Sequence, residues 1–192
     1  MKLENIASLS VGQILTRVAT DENSEIQYKV LQPKAIGNGV IKDDFLNDVG
    51  FVKEVEREKF TKEGDVVIKL STPYEAVVID ENHVDLVIPS FCAVIRTEEG
   101  INPYYICALV NSSYIKDQIK ARIAGTVRPM VKISDLRTVE IPEISKEKMN
   151  SLGEEYKLSL KKLDLLSQII NAEKEIMDNK LLALVLEGGK NE

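Results

Sequence analysis

The sequence predicts an α+β protein. A mixed or antiparallel sheet, or a partial barrel, is expected over residues 1–145, and one long helix over residues 146–192. Up to residue 145 the apolar residues occur in short β-type runs separated by turn-forming residues. Beyond it there is no proline, and apolar residues recur at helical spacing. A length of 192 residues suits one domain with an appendage, or two small domains.

Four segments of the first region are typical of strands. Residues 25–31 alternate polar and apolar side chains, which is the pattern of a half-buried strand. The other three are rich in β-branched residues and bounded by turns, at residues 64–70, 76–79 and 91–96. Strands this close together along the chain favour antiparallel pairing over repeated βαβ units.

One helix interrupts the strands. Asn102 and Pro103 supply an N-cap and a proline at the first helical position, and apolar residues then recur at helical spacing until Gly125 ends the run. Two short final strands are predicted after it, at residues 130–133 and 138–141.

The C-terminal segment carries a wide apolar stripe. Residues 154–186 would form roughly 50 Å of helix at ~1.5 Å per residue, and each Leu or Ile left exposed forgoes ~1.5–3 kcal/mol of burial. No other segment is long enough to cover the stripe, so we expect a coiled-coil-like contact with a second chain; packing along its own domain is the alternative. The candidate dimerisation residues are Leu163, Leu166, Ile170, Met177, Leu181 and Leu184.

Composition excludes several classes of protein. An apolar content of 44% with 29% charged residues argues against disorder. No apolar run approaches the ~20 residues that span a bilayer, and the N-terminus shows no signal-peptide pattern. Cys92 and Cys107 lie in apolar runs, which predicts buried, reduced thiols in a cytoplasmic protein.

Motifs for catalysis are weak, and we expect no catalytic residue, metal ion or cofactor. The run from Asn102 to Tyr105 resembles the Asn-Pro-Pro-Tyr/Phe signature of amino-group DNA methyltransferases, but Tyr104 replaces a proline and no glycine-rich cofactor loop precedes it. Helix capping explains it better, with a small S-adenosylmethionine-dependent methyltransferase as the alternative. The single histidine, His83, is expected in a solvated turn, and the two cysteines match no zinc-site spacing.

The charge is unevenly distributed. A net charge of −6 argues against a free-standing nucleic-acid binder. Residues 116–137, however, carry six basic and two acidic side chains, a local net charge of +4. Gly125-Thr126 and Pro129 define a loop that carries Arg128, and such a basic loop can contact phosphates while its tip reads base edges. Solvated surface charges are the alternative explanation.

The order of short motifs resembles the target recognition domain of the specificity subunit of type I restriction–modification enzymes. The motifs are Pro103-Tyr104-Tyr105, Asn111-Ser112-Ser113, Gly125-Thr126, Asp135-Leu136 and Ile141-Pro142, then the long helix. Upstream segments also match, at residues 3–7, 64–68 and 88–90. The resemblance covers essentially the whole chain. It departs from the family at residues 146–148, where a Gln is usual, and in having one recognition domain and one long helix where members commonly have two of each.

The resemblance implies a non-catalytic DNA-recognition subunit. Such a subunit docks on DNA-adenine methyltransferase subunits and, through them, on a translocating restriction subunit. Its recognition domain contacts one half of a bipartite site, and the helix sets the distance to the other half. Because the family's two helices pair antiparallel, a single-domain form is expected to rebuild that arrangement as a two-fold homodimer, unless a different second half completes it. A helix-pairing scaffold whose sheet domain binds protein remains a further alternative.

Eight residues are the predicted DNA contacts. Arg and Lys would bind phosphates or guanine edges, whereas Ser, Thr and Tyr would bind phosphates or other base edges. The first four lie in the break after the central strand, and the others lie around the basic loop: Lys69, Ser71, Thr72 and Tyr74, then Arg122, Thr126, Arg128 and Lys132. Because the rest of the chain is acidic, tight DNA binding is expected to require the partner subunits.

Overall fold

The computed structural model describes residues 1–18, 24–37, 39–125 and 130–188, with side chains as far as residue 184. Within these ranges the fold is α+β, with antiparallel sheets, no closed barrel and one long C-terminal helix. The predicted fold class is therefore confirmed.

A four-stranded antiparallel sheet forms the centre of the first region. In spatial order its strands are β1 (Ala7–Val11), β8 (Cys92–Thr97), β6 (Val66–Lys69) and β7 (Ala76–Val78). Every residue of β6 and β7 is buried. Three of the predicted strands correspond to β6, β7 and β8, whereas β1 was not predicted.

A second, two-stranded sheet packs its aromatic residues together. Strand β2 (Ile26–Val30), which was predicted, pairs antiparallel with β5 (Asn47–Phe51), which was not. The ring of Tyr28 meets those of Phe51 and Phe60 edge to face, with centroids 5.3 and 5.1 Å apart. This geometry is favourable for aromatic pairs and closes a small cluster of its own.

A short hairpin lies beside the central sheet. Strands β3 (Ile36–Gly37) and β4 (Val40–Ile41) pair antiparallel, with Ile36 opposite Ile41. The Gly37-Asn38-Gly39 sequence, which is typical of a hairpin turn, lies between them, and Asn38 itself is outside the described residues. Gly39 has a positive φ of 77°, which glycine adopts without steric cost.

The predicted helix after Asn102 consists of two helices. Helix α1 (Pro103–Asn111) ends at Ser112, whose extended backbone and hydroxyl cap the start of α2 (Ser113–Ile123). The apolar spacing continues across this break, because Ile106, Val110, Ile115 and Ile119 all face the same core. Periodicity alone therefore concealed the break.

The two final strands predicted at residues 130–133 and 138–141 are not extended strands. Met130 forms a single bridge with Ser71, and Glu140 a single bridge with Lys2. A short helix, α3 (Ile133–Arg137), occupies most of the intervening segment. Val131, Val139 and Ile141 are buried, but the backbones of these segments pair at single positions rather than along a ladder.

The C-terminal helix α4 (Lys146–Gly188) is longer than its apolar pattern indicated. The chain divides into two compact units between Tyr156 and Lys157, so the first turns of α4 belong to the first unit. There Met149 is buried in the core. In the described part of the second unit every large apolar side chain except the half-buried Leu160 is exposed. None of the described helices is both long and apolar enough to cross a membrane.

Both cysteines are buried free thiols, as predicted. Burial raises the pKa of Cys92 and of Cys107 to about 12, because the charged thiolate is poorly solvated in the core.

His83 is not a solvated turn residue. Its side chain is only 13% exposed, and its ring nitrogens lie 2.6 Å from Asp80 Oδ1 and 2.8 Å from Asp43 Oδ1. Burial lowers the pKa of His83, but the hydrogen bonds to the two carboxylates outweigh it and leave the pKa raised above 6.5. Protonated His83 therefore ties the segment after β4 to the turn that follows residue 79.

This tie predicts a pH-dependent stability. A raised folded-state pKa means that the stabilisation is fully present below the unfolded pKa and disappears as pH rises through the folded pKa. The free energy of unfolding of the wild-type protein should therefore exceed that of the His83→Gln variant, and this difference should be larger at about pH 5.5 than at about pH 8.5. Urea unfolding of both proteins at the two pH values measures this, and a difference that does not vary with pH would contradict the tie.

Candidate nucleic-acid interface

The turn between β6 and β7 is tightly folded. The Tyr74 N–H donates to the Ser71 carbonyl oxygen at 2.9 Å, and the Thr72 hydroxyl lies 3.2 Å from the Tyr74 hydroxyl. Thr72 and Pro73 are exposed and are joined by a cis peptide bond. Tyr74 is buried in the core and has a φ of 55°, in the left-handed region that side chains rarely adopt. The turn thus exposes Thr72 and Pro73, while the buried Tyr74 anchors its backbone to the core.

Helix α2 supplies the opposite wall. Ile115, Ile119 and Ile123 recur along its buried face. Lys116 and Lys120 lie one turn apart on a neighbouring stripe, so their amines border the same surface as Ile123.

The turn and the helix enclose an open groove of about 490 Å³, which we call the basic groove. It is lined by Thr72, Pro73, Tyr74, Lys116, Lys120 and Ile123. No carboxylate is among these six described residues, so the lining carries two positive charges. Lys120 Nζ lies 3.0 Å from Asp117 Oδ1 in an exposed ion pair. Exposed pairs of this kind contribute only ~0–1 kcal/mol, so an anionic ligand can compete for Lys120.

The chain returns to this turn after α2. The Val131 N–H donates to the Leu70 carbonyl oxygen at 2.9 Å, and Met130 bridges to Ser71. Residues 126–129 therefore connect the end of α2 to the edge of the 71–74 turn. The two sequence segments predicted to contact DNA, more than forty residues apart, meet at this edge.

The predicted contact residues differ in their placement. Thr72 and Tyr74 line the basic groove, and Ser71 lies at its edge. Lys132 is exposed. Arg122 is exposed but donates to the carbonyl oxygens of Gln118 and Thr138, at 3.1 and 3.0 Å, and does not line the groove. The remaining two predicted contacts lie outside the described residues: Thr126 and Arg128.

The structure does not bring Lys69 to the surface. It is 8% exposed, and its Nζ donates to Glu75 Oε2 at 2.6 Å and to the Ile36 carbonyl oxygen at 2.9 Å. Its placement therefore disagrees with the prediction of a direct phosphate or base contact. The run of residues around it gave no sign that its amine would be enclosed by β3 and by Glu75.

Two lysines and a proline of the groove were not among the predicted contacts. Lys116 and Lys120 belong to the basic segment at residues 116–137. They are four residues apart, and Ile123 follows three residues later, so helical spacing would have placed the three on one side of a helix. Pro73 carried no such signal, because a proline in a turn is explained by its backbone alone.

The Asn102 motif is a helix cap, as predicted. The Asn102 Oδ1 accepts from the Tyr104 N–H at 2.9 Å, and its Nδ2 donates to Glu154 Oε1 at 2.8 Å. Its backbone N–H donates to Asn150 Oδ1. Gly153 packs so closely that a Cβ there would lie 2.5 Å from the Asn102 Cγ. Both Oδ1 and Nδ2 of Asn102 therefore take part in capping α1 and in joining it to α4.

Among the residues that the structure describes, no group of three or more His, Cys, Asp or Glu is arranged to hold a metal ion.

Comparison with known proteins gives a consistent answer. No family model matches the chain. A curated protein, the type I restriction enzyme MjaVIII specificity subunit of Methanocaldococcus jannaschii, is 24% identical over 201 aligned positions, which cover 98% of this chain and 45% of the relative. The chain is therefore similar to a specificity subunit of a type I restriction enzyme along almost its whole length. It spans less than half the length of this curated relative.

Two solved structures share the fold of this chain. The HsdS subunit from Thermoanaerobacter tengcongensis has a TM-score of 0.57 at 12% identity, covering 85% of this chain and 38% of that one. A structure described as explaining complex assembly and conformational transition of the type I R-M system has a TM-score of 0.61 at 18% identity, covering 91% and 43%. At these identities the likeness concerns the fold alone.

The capping role of Asn102 predicts a stability effect. Asn102→Ala removes the cap and the side-chain hydrogen bond to Glu154, and we expect it to lower the free energy of unfolding by about 1–3 kcal/mol. Asn102→Ser keeps a cap acceptor and should lose roughly half as much. Urea unfolding monitored by circular dichroism measures both, and an Asn102→Ala protein as stable as the wild type would contradict the assignment.

Proposed function

We propose that the chain is the DNA-sequence-recognition subunit of a type I restriction–modification system. It performs no chemistry itself and directs methyltransferase and restriction subunits to a bipartite DNA site. The single observation that carries the proposal is the match to a specificity subunit along 98% of the chain. We propose that the protein acts in the cytoplasm, where buried reduced thiols such as Cys92 are stable.

The basic groove supports a division of labour in DNA binding. Lys116 and Lys120 are placed to neutralise phosphates, which fixes position without reading sequence. Ser71 and Thr72 in the turn supply donors and acceptors that base edges require, and Arg128, in the sequence segment that follows α2, would add a further donor. Tyr74 is buried and supports the turn from below. Lys132 and Arg122 add positive charge around this surface.

The chain on its own is a weak DNA binder in this proposal. Its net charge is −6, so most of its surface repels the phosphate backbone outside the basic groove. Tight binding then depends on the methyltransferase subunits, which add further DNA contacts.

The second unit supports pairing with another copy of this chain. Apart from the half-buried Leu160 and from Leu182, its large apolar side chains form one continuous arc along the helix, between 45% and 65% exposed. The six predicted dimerisation residues all belong to it: Leu163, Leu166, Ile170, Met177, Leu181 and Leu184. Since an exposed arc of this width is costly in water, a facing helix of the same kind would stabilise it.

The charges on α4 favour an antiparallel arrangement. Residues 157–164 carry three lysines and one aspartate, whereas residues 173–180 carry three acidic residues and two lysines. An antiparallel pair of identical helices places the basic segment of each against the acidic segment of the other, while a parallel pair aligns like with like. A two-fold homodimer follows, and it would present two identical recognition domains.

The lysines of the groove give a first test. We expect Lys116→Ala/Lys120→Ala to weaken DNA binding by the complex with methyltransferase subunits and to reduce the slope of log K against log salt by about 1–2, because up to two phosphate contacts are lost. Lys29→Ala/Lys53→Ala removes the same charge from residues that do not line the groove. Fluorescence anisotropy at several salt concentrations measures both. Equal slopes for the two variants would contradict the groove as the DNA contact.

Helix pairing gives a second test. Ile170→Glu places a charge in the centre of the apolar arc and should produce a monomer, whereas Asn171→Glu adds the same charge on the opposite side of the helix and should leave the dimer intact. Sedimentation velocity measures the masses. A wild-type chain that stays monomeric at high micromolar concentration would contradict the two-fold dimer.

A further inference from the structure

A partly buried ion pair lies at each end of strand β6, and in each pair one side chain is nearly enclosed while the other, Arg96 or Glu75, is 29% or 20% exposed. At its start, Asp65 is 3% exposed and binds the guanidinium of Arg96 through two hydrogen bonds, at 2.8 and 3.0 Å. At its end, Lys69 is 8% exposed and binds Glu75 at 2.6 Å. The two pairs lie four residues apart on the same strand, or roughly 13 Å. Only the second pair adjoins the turn that faces the basic groove.

The Lys69–Glu75 pair joins the two ends of this turn on its buried side. The backbone N–H of Lys69 donates to the Glu75 carbonyl oxygen at 2.9 Å, so the two residues are joined by main chain and by side chains. Between them lies Tyr74 in the left-handed region at φ 55°. Such a backbone costs on the order of 1–3 kcal/mol and persists only where its surroundings impose it.

The same amine also joins a third element to the turn. Lys69 Nζ donates to the carbonyl oxygen of Ile36 at 2.9 Å, and Ile36 belongs to the β3–β4 hairpin. One ammonium group thereby sets the relative positions of β6, the hairpin and the end of the turn. A shift of Glu75 would move Thr72 and Pro73, the exposed residues of the groove wall.

We propose that Lys69 and Glu75 are positioning residues for DNA sequence discrimination. They hold the 71–74 turn in the one conformation that reads the correct bases, and neither touches the DNA. This inference rests on the proposed function, because it assigns the turn to base reading.

The physical character of a buried ion pair makes this role separable from stability. Replacing such a pair by apolar residues of similar volume is often neutral or stabilising, because two desolvated charges disappear together. The loss is then one of conformational specificity rather than of folding. Because one positive and one negative charge are removed together, the electrostatic attraction to phosphates also stays the same.

The experiment compares matched double variants in the complex with methyltransferase subunits. Lys69→Met/Glu75→Leu removes the pair below the turn, and Arg96→Met/Asp65→Leu removes the pair at the far end of β6. The probes are a duplex that carries the site methylated by the wild-type complex and the same duplex with that site scrambled. Anisotropy gives the affinity for each, and thermal unfolding of the chain gives the midpoint temperature.

For Lys69→Met/Glu75→Leu we expect the ratio of specific to scrambled affinity to fall by about tenfold or more. Binding to the scrambled duplex should change by less than about twofold, since the net charge is unchanged. The Arg96→Met/Asp65→Leu control should keep the wild-type ratio whatever its midpoint temperature. If the first double variant does not fold, Glu75→Gln replaces it, with a fall of about threefold expected because the amide oxygen can still accept from the ammonium and only the negative charge is lost.

Two results would overturn the inference while the proposed function stands. One is a Lys69→Met/Glu75→Leu variant, or Glu75→Gln in its place, with the wild-type ratio. The other is an equal fall for the control pair, which would make the effect a general consequence of losing a buried pair. A wild-type complex that does not distinguish the two duplexes would instead contradict the proposed function itself.

Discussion

The main-chain contact between residues 70–71 and residues 130–131 is the constraint on which the candidate interface depends. Val131 donates to Leu70, and Met130 bridges to Ser71, so the chain that leaves α2 must return to the end of β6. The turn after β6, the basic stripe of α2 and the segment that begins at Met130 are thereby gathered at one edge of the domain, although the sequence separates the turn widely from the other two.

Below that edge, the domain is a framework with little freedom to move. All residues of β6 and β7 are buried, and ion pairs at both ends of β6 connect it to β8 and to the turn after it. Variation in the exposed residues Thr72 and Pro73 can therefore alter what is bound without altering the core. A rigid sheet that carries exposed, variable loops is the general way in which proteins combine a stable fold with selectable recognition.

Local patterns in the sequence predicted the elements that pack locally. Alternation and β-branched runs located β2, β6, β7 and β8, and the cap at Asn102 located α1. The misses have physical causes. The break at Ser112 lies within one continuous apolar stripe, and Val131 and Val139 are buried although their segments form no strand ladder, so periodicity reports neither. The sequence predicted Lys69 as a DNA contact. Its burial and its hydrogen bonds to Glu75 and Ile36 depend on tertiary structure, so no local pattern could indicate them. The paired placement of Lys116 and Lys120 was visible in the sequence, but their groove was not.

The acidic net charge and the exposed helix become consistent once the chain is treated as half of a symmetric assembly. The basic groove concentrates positive charge where DNA would lie, and α4 offers an apolar arc to a second copy. Identical recognition domains related by a two-fold axis must read identical half-sites in opposite orientations. Sequencing the methylated positions of DNA treated with the complex of this chain and methyltransferase subunits tests the account most directly. The account predicts an interrupted palindrome, two inverted copies of one short sequence with an unread spacer. Methylation at no defined sequence would contradict DNA recognition, and two different half-sites would contradict the two-fold assembly.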